Sequence, residues 1–342
     1  MVRRSLYEKE KKVKEKPGRV VYWNGKLIPE AEARVSIYDS ALMFGDVVFE
    51  MTRSFHRKHW KMREHLERLY AGIKILRIPI KMTIEEMEEA VDWTCEANLP
   101  AMEEDDEHRV LIDVTRGLLS LYQDVVGIPS GPNVIIADFP LRWTVMGCSH
   151  LYDTGIHLVI PSQRAIPAQL LDPKIKNRSR IFYLMANIEV ANYKGNDNWA
   201  LLLDPDGFVA EGTGSNFFLV KNDTLYTPEP RNTLIGITRN TVIHDLAPRI
   251  GVKCIEKNIE PYEVYTADEA FMTSTPFCLL PAVSLNGISI GDGKPGKITM
   301  ALLNAWSEMV DLDIVGQIKR WDTKRDSRKD ANAPSPYRFT TR

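Results

Sequence analysis

Four short segments carry residue types that could do chemistry. In Asp172-Pro173-Lys174-Ile175-Lys176-Asn177, a lysine follows a β-branched residue just ahead of a helix that opens near Arg180. Held in a cavity, such a lysine loses hydration, its pKa falls, and the neutral amine can attack an aldehyde. Glu211 sits at the end of an apolar run, within Ala210-Glu211-Gly212-Thr213-Gly214-Ser215-Asn216. A buried carboxylate there could keep a heteroaromatic ring nitrogen protonated, and the glycines would let backbone approach the ring. Leu234-Ile235-Gly236-Ile237-Thr238-Arg239 leads into a helix, whose unpaired N–H groups make a seat for phosphate at Ile237 and Thr238. Arg68, in His65-Leu66-Glu67-Arg68-Leu69, offers a planar fork of donors suited to phosphate. Each feature alone also reads as an ordinary loop lysine, tight turn, Thr cap or surface arginine.

The elements that must position these residues can be read from period and punctuation. Val20 to Trp23 followed by Asn24-Gly25 predicts a strand and a type I′ hairpin. Arg34 to Tyr38 and Val47 to Phe55 read as strands, Met62 to Leu76 as an amphipathic helix, and Thr83 as the N-cap of a helix reaching about Ala97. Arg109 to Thr115 and Asn133 to Phe139 are β-branched runs that close a first α+β unit. Residues 141–153 mix Gly, Cys, His and aromatics without period and read as an interdomain loop. Further strands are expected at Ile156 to Ile160, Trp199 to Leu203, Phe208 to Ala210, Val252 to Ile255 and Ala270 to Thr273, with a hairpin over Asn216 to Thr227 turning at Asn222-Asp223. Helices are expected over Arg180 to Tyr193, Thr238 to Ile250 and Lys297 to Val310.

A chain of 342 residues suits two cores. The expected division is a charged arm at 1–19, a small α+β domain at 20–140, the loop at 141–153, a larger domain at 154–318 and a basic tail at 319–342. Forty-six acidic against 44 basic residues leave a net charge of −2, which offers nothing general to a nucleic-acid backbone. No apolar stretch approaches the roughly 20 residues that cross a bilayer, and the start lacks the apolar core of a secretory signal. Four cysteines without a CxxC pair argue against zinc and against a disulfide framework, so no metal is expected and a cytoplasmic location fits.

Taken in order, Asn24-Gly25, Phe44-Gly45-Asp46 with Val48-Phe49-Glu50, His65 to Leu69, Lys176-Asn177, Glu211-Gly212 with Asn216, and Gly236-Ile237-Thr238-Arg239 resemble the class IV (fold type IV) aminotransferases over roughly residues 20 to 315. That group includes branched-chain and D-amino acid aminotransferases, (R)-selective amine transaminases and aminodeoxychorismate lyase. The resemblance implies a mixed α+β and α/β molecule, in which pyridoxal 5′-phosphate lies between a small domain and a larger β-barrel-like one. It makes Lys176 the Schiff-base lysine and proton shuttle, and Glu211 the partner of the pyridine nitrogen. Arg68, Ile237, Thr238 and Thr275 become phosphate ligands, and Arg180 a contact to the phenolate oxygen where branched-chain enzymes carry a tyrosine. It also implies ping-pong transfer from an amino donor to a 2-oxo acid, and a homodimer or larger assembly in which loops of one subunit enter the other's site.

The substrate is less legible. Phe49-Glu50-Met51-Thr52-Arg53 is similar to a branched-chain segment, and Phe44 and Phe49 would line an apolar side-chain pocket. The Tyr-x-Arg pair of those enzymes is here Arg109-Val110-Leu111. Val114-Thr115-Arg116-Gly117 is closer to the D-amino acid and (R)-amine enzymes, yet the loop after it, Leu118 to Gln123, has no arginine. A desolvated carboxylate needs charge-assisted donors, so Arg53, Arg109, Arg142, Tyr122 or the backbone near Thr275 must supply them. A lyase of the aminodeoxychorismate type and a silent scaffold are the remaining readings.

Overall fold

The computed structural model describes residues 18–124, 127 and 130–324; most of the charged arm and the tail beyond 324 lie outside them. The chain opens with β1 (Val20–Trp23) and β2 (Lys26–Pro29), joined at Asn24 and Gly25, whose φ angles of 47° and 91° are those the Asn-Gly pair was expected to supply. Then come α1 (Ser40–Phe44), β3 (Val47–Phe55), β4 (Lys58–His59), α2 (Met62–Ile75), α3 (Ile84–Asn98), β5 (His108–Thr115) and β6 (Asn133–Pro140). Thr83 caps α3 in a capping box with Glu86. These strands form an antiparallel sheet in the order β2-β1-β6-β5-β3-β4. Leu66, Leu69 and Ile73 of α2 and Met87 and Val91 of α3 pack on its Val48, Val110, Ile112 and Ile136.

The strand expected at Arg34 to Tyr38 does not form. Val35 and Ile37 are exposed, and the one ladder contact nearby is a bridge from Asp39 to Leu118. β-branched residues favour a strand only where a neighbour takes their hydrogen bonds. The stretch read as an irregular loop instead folds into short helical turns, α4 (Arg142–Val145) and α5 (Leu151–Thr154), with Val145, Leu151 and Tyr152 buried in the larger core.

Beyond it run β7 (Ile156–Val159), α6 (Ile181–Val190), β8 (Asn198–Leu203), β9 (Val209–Gly212), β10 (Asn216–Lys221), β11 (Thr224–Pro228), α7 (Ile237–Asn240), a π-helical stretch Thr241–Leu246, α8 (Ala247–Arg249), β12 (Lys253–Lys257), α9 (Pro261–Tyr265), β13 (Glu269–Ser274), β14 (Cys278–Leu285), β15 (Ile288–Ser289), α10 (Lys297–Met309) and α11 (Ile314–Thr323). The second sheet runs β12-β11-β10-β13-β14-β7-β8-β9, and β9 pairs back to β10 through Glu211 and Asn216, closing it into a barrel. β14 was not foreseen, because Cys278 to Leu285 is apolar but for Ser284 and contains Pro281, with no alternation to betray it. Residues 319–323, assigned to a basic tail, belong to α11, where Trp321 is buried against the core.

Candidate active site

Lys176 is positioned by a turn and by a strand of the other sheet. Asp172 accepts from the amides of Lys174, at 3.0 Å through Oδ1, and Ile175, at 3.0 Å through its carbonyl, while Ile175 is buried. The next residues dock on β3: Phe49 N–H donates to Lys176 O at 3.0 Å, and Arg178 N–H to Val47 O at 3.0 Å. The Lys176 ammonium thereby sits 4.8 Å from the centre of the Phe49 ring. Burial, together with Arg68 and Arg180 nearby, pulls its pKa down to about 7, although Glu50 and Glu211 oppose the fall.

Glu211 faces the same cleft from the barrel seam. Tyr183 of α6 donates to its Oε1 at 2.5 Å, and its Oε2 accepts from Leu234 N–H at 3.0 Å and Asn216 Nδ2 at 3.1 Å. Burial pushes its pKa up to about 7 despite those donors. Gly236 is needed here, since a Cβ at that position would lie 2.1 Å from Asn216 Oδ1. Ile237 and Thr238 open α7 at the cleft, so their amides have no acceptor earlier in the helix. Thr275, in the turn between β13 and β14, completes that wall, and Ser274 Oγ donates to Gly214 O at 2.9 Å.

Arg68 enters from α2. Its Nε and Nη2 grip both oxygens of Glu50, at 2.6 and 2.8 Å, and Nη1 donates to Ile235 O at 2.8 Å. His65 Nδ1 donates to Glu50 Oε2 at 2.8 Å. Burial alone would raise the Glu50 pKa, yet Arg68 and His65 hold it well below the usual carboxylate range. The carboxylate therefore stays ionised, and the guanidinium edge is aimed into the cleft. Arg180 precedes α6, donates through Nη2 to Thr213 O at 2.6 Å and lies 4.8 Å from the Tyr183 ring centre.

The structure thus brings Lys176, Glu211, Arg68, Arg180, Ile237, Thr238, Thr275 and Phe49 to one cleft. It does not bring the other expected substrate contacts there. Phe44 is 65% exposed at the end of α1. Tyr122 stacks on Tyr38, 5.0 Å between ring centres. Arg53 is fully buried behind the cleft, donating through Nη1 to Pro276 O at 3.1 Å, so it holds the Thr275 turn. Arg109 is buried beside Met51, and Arg142 pairs with Asp105 and Asp106. Sequence reasoning assigned no role to Tyr183 or to the apolar wall of Ile166, Leu171 and Phe182. Tyr183 lies one helical turn after Arg180, a spacing that could have suggested it.

Residues 47–285 match the family described as amino-transferase class IV. A Methanocaldococcus jannaschii protein that bears a branched-chain-amino-acid aminotransferase name is 36% identical over 84% of this chain and 96% of its own. The Pseudomonas aeruginosa branched-chain-amino-acid aminotransferase is 29% identical over 85% and 92%. Among solved structures, the branched-chain aminotransferase of Thermobaculum terrenum in its pyridoxal-phosphate form superposes with a TM-score of 0.74 at 28% identity, covering 90% of this chain and 98% of that one. The Escherichia coli enzyme gives 0.74 at 27% identity, over 86% and 95%. With the barrel seam, the cleft lysine and a family match across most of its length, the chain belongs to the class IV aminotransferases.

Proposed function

We propose that this aminotransferase moves amino groups between branched-chain or other apolar amino acids and a 2-oxo acid, using pyridoxal 5′-phosphate seated in the cleft. The cleft fits that cofactor: a lysine of depressed pKa faces an acid of raised pKa, and a helix start with Arg68 offers donors for a phosphate. When bound, the cofactor supplies an aldehyde for amines and a ring that draws electrons from the substrate α-carbon. Lys176 Nζ, neutral above about pH 7, is the base that takes the α proton and returns it. Glu211 holds a proton on the ring nitrogen, with Asn216 and the Leu234 amide fixing its carboxylate.

The observation that carries the substrate reading is the wall formed by Phe49, Ile166, Leu171, Pro173 and Phe182, which suits an apolar side chain. For the carboxylate, Arg180 is favoured over the residues expected first. Its side chain lines the cleft and donates to a backbone carbonyl, whereas the Arg68 fork is held by Glu50. The relatives give no support to the D-amino acid, (R)-amine, lyase or silent-scaffold alternatives. A donor panel of L-leucine, L-glutamate, D-alanine and (R)-1-phenylethylamine, with pyruvate and 2-oxoglutarate as acceptors, tests the reading. Turnover of L-leucine with 2-oxoglutarate is expected, and turnover of D-alanine or the amine alone overturns it.

A second copy of the chain is the expected partner. Ile37, Leu42, Phe44, Leu121 and Ile181 are exposed. The Asp39 to Leu118 bridge, the Tyr38–Tyr122 stack and the bond from Ser179 Oγ to Phe44 O bring their segments together. An apolar patch of this kind supports burial in a homodimer, where Phe44 or Tyr122 would meet a neighbour's cleft. Light scattering of the purified protein distinguishes dimer from monomer. Among the described residues no helix is long and apolar enough to cross a membrane, and the four cysteines are unpaired, which supports a cytoplasmic setting.

A further inference from the structure

On the small sheet, three apolar columns end in ligand-forming side chains. Val114, Ile112 and Val110 of β5 continue to His108, Val134 and Ile136 of β6 continue to Asp138, and Met87 and Val91 of α3 continue to Cys95. Cys95, His108 and Asp138 are 6%, 3% and 1% exposed, and each offers a ligand atom within 4.8 Å of the other two. His59 of β4 stands beside the set, its Nε2 3.4 Å from Cys95 Sγ. Asp138 spends Oδ2 on His108 Nδ1 at 2.9 Å, and its Oδ1 is buried with no hydrogen-bond partner among the described residues. A purely hydrogen-bonded plug would leave that oxygen unpaired, which costs about 1–3 kcal/mol; a cation would satisfy it.

We propose that Cys95, His108 and Asp138 form a structural site for a divalent transition ion, with zinc favoured by a donor set of one sulfur, one imidazole and a carboxylate. The site lies outside the catalytic cleft and ties together α3, β5 and β6. Binding exchanges the thiol proton, released to solvent, for a metal–sulfur bond, so no oxidant or reductant is involved.

The test uses the full chain, purified without a histidine tag from zinc-supplemented cells, with metal counted by elemental analysis. The expected result is about one zinc per chain. After stripping and addition of Co²⁺ alone, a thiolate-to-cobalt charge-transfer band should appear together with the visible bands of a tetrahedral ion. Cys95→Ser should lose the charge-transfer band. Asp138→Asn, which keeps the side chain's shape and so is less prone to misfold, should weaken Co²⁺ binding at least about tenfold. Stripping should lower Tm while the kcat of the holoenzyme at moderate temperature stays unchanged. Protein without zinc whose Co²⁺ titration gives no thiolate band overturns the proposal, as does binding that neither variant alters.

Discussion

One face of the small sheet carries two buried polar clusters, and they differ in how completely they are satisfied. Near the cleft, Glu50 is held on every side: Arg68 takes both oxygens, His65 takes one again, and the Ile235 carbonyl takes a further Arg68 donor. At the far end of the same strands, Asp138 keeps one oxygen without a protein partner beside His108 and Cys95. A closed network fixes a side chain, here the Arg68 guanidinium, in one orientation. An open one marks where a further ligand would complete the shell.

The largest expected effect tests the cleft itself. Lys176→Ala should abolish borohydride-reducible cofactor and lower turnover by about 10³-fold or more, since it removes both the condensing amine and the base. A native rate in that variant would break the account of the cleft. Glu50→Gln should come next, because it leaves Arg68 with half of its partner and buries an uncompensated charge. The loss should be about 3 kcal/mol in urea unfolding, with weaker cofactor retention measured by dialysis. The Glu50 pKa is depressed, so its stabilisation is complete above the ordinary glutamate value of 4.5 and is lost as pH falls below it. Wild type should therefore lose more stability on acidification than Glu50→Gln; equal acid sensitivity would show that the network holds no charge.

Cofactor uptake by the apoenzyme should quicken as pH rises through about 7 and level off above it, because the Lys176 amine becomes neutral there. A midpoint near the ordinary lysine value of 10.5 would mean that Lys176 is hydrated. The smallest effect sharpens the other side of the comparison. Asp138→Asn keeps shape and one acceptor, so a metal-free cluster should shift Tm by no more than a degree or two, whereas the same change in a metal site should also cut metal content.

Much of the cleft was legible from local signals. Lys176 before a helix, the Gly-rich run after Glu211 and the Gly236 to Thr238 helix start each have a local physical cause, and together they occur in an order that matches a family. Phe44, Arg53 and Tyr122 do not line the cleft of this chain taken alone, because which face of a strand or helix meets a cavity depends on the partner packed against it. Arg53 shares the Phe49 face of β3, but the turn that follows β13 packs over it and takes its Nη1 donor at the Pro276 carbonyl.

The order of residues along the chain determined the helix caps, the hairpin turns at Asn24-Gly25 and Asn222-Asp223, and the chemical roles open to Lys176 and Glu211, since these depend on neighbours a few positions away. Tertiary structure alone decided that β9 closes on β10, that Glu50 locks Arg68 and that Cys95, His108 and Asp138 converge. Ligand spacing in a sequence reveals a metal site only when neighbouring ligands share a turn. Here each comes from a different element, and it is the pairing of β5 with β6 beneath α3 that gathers them.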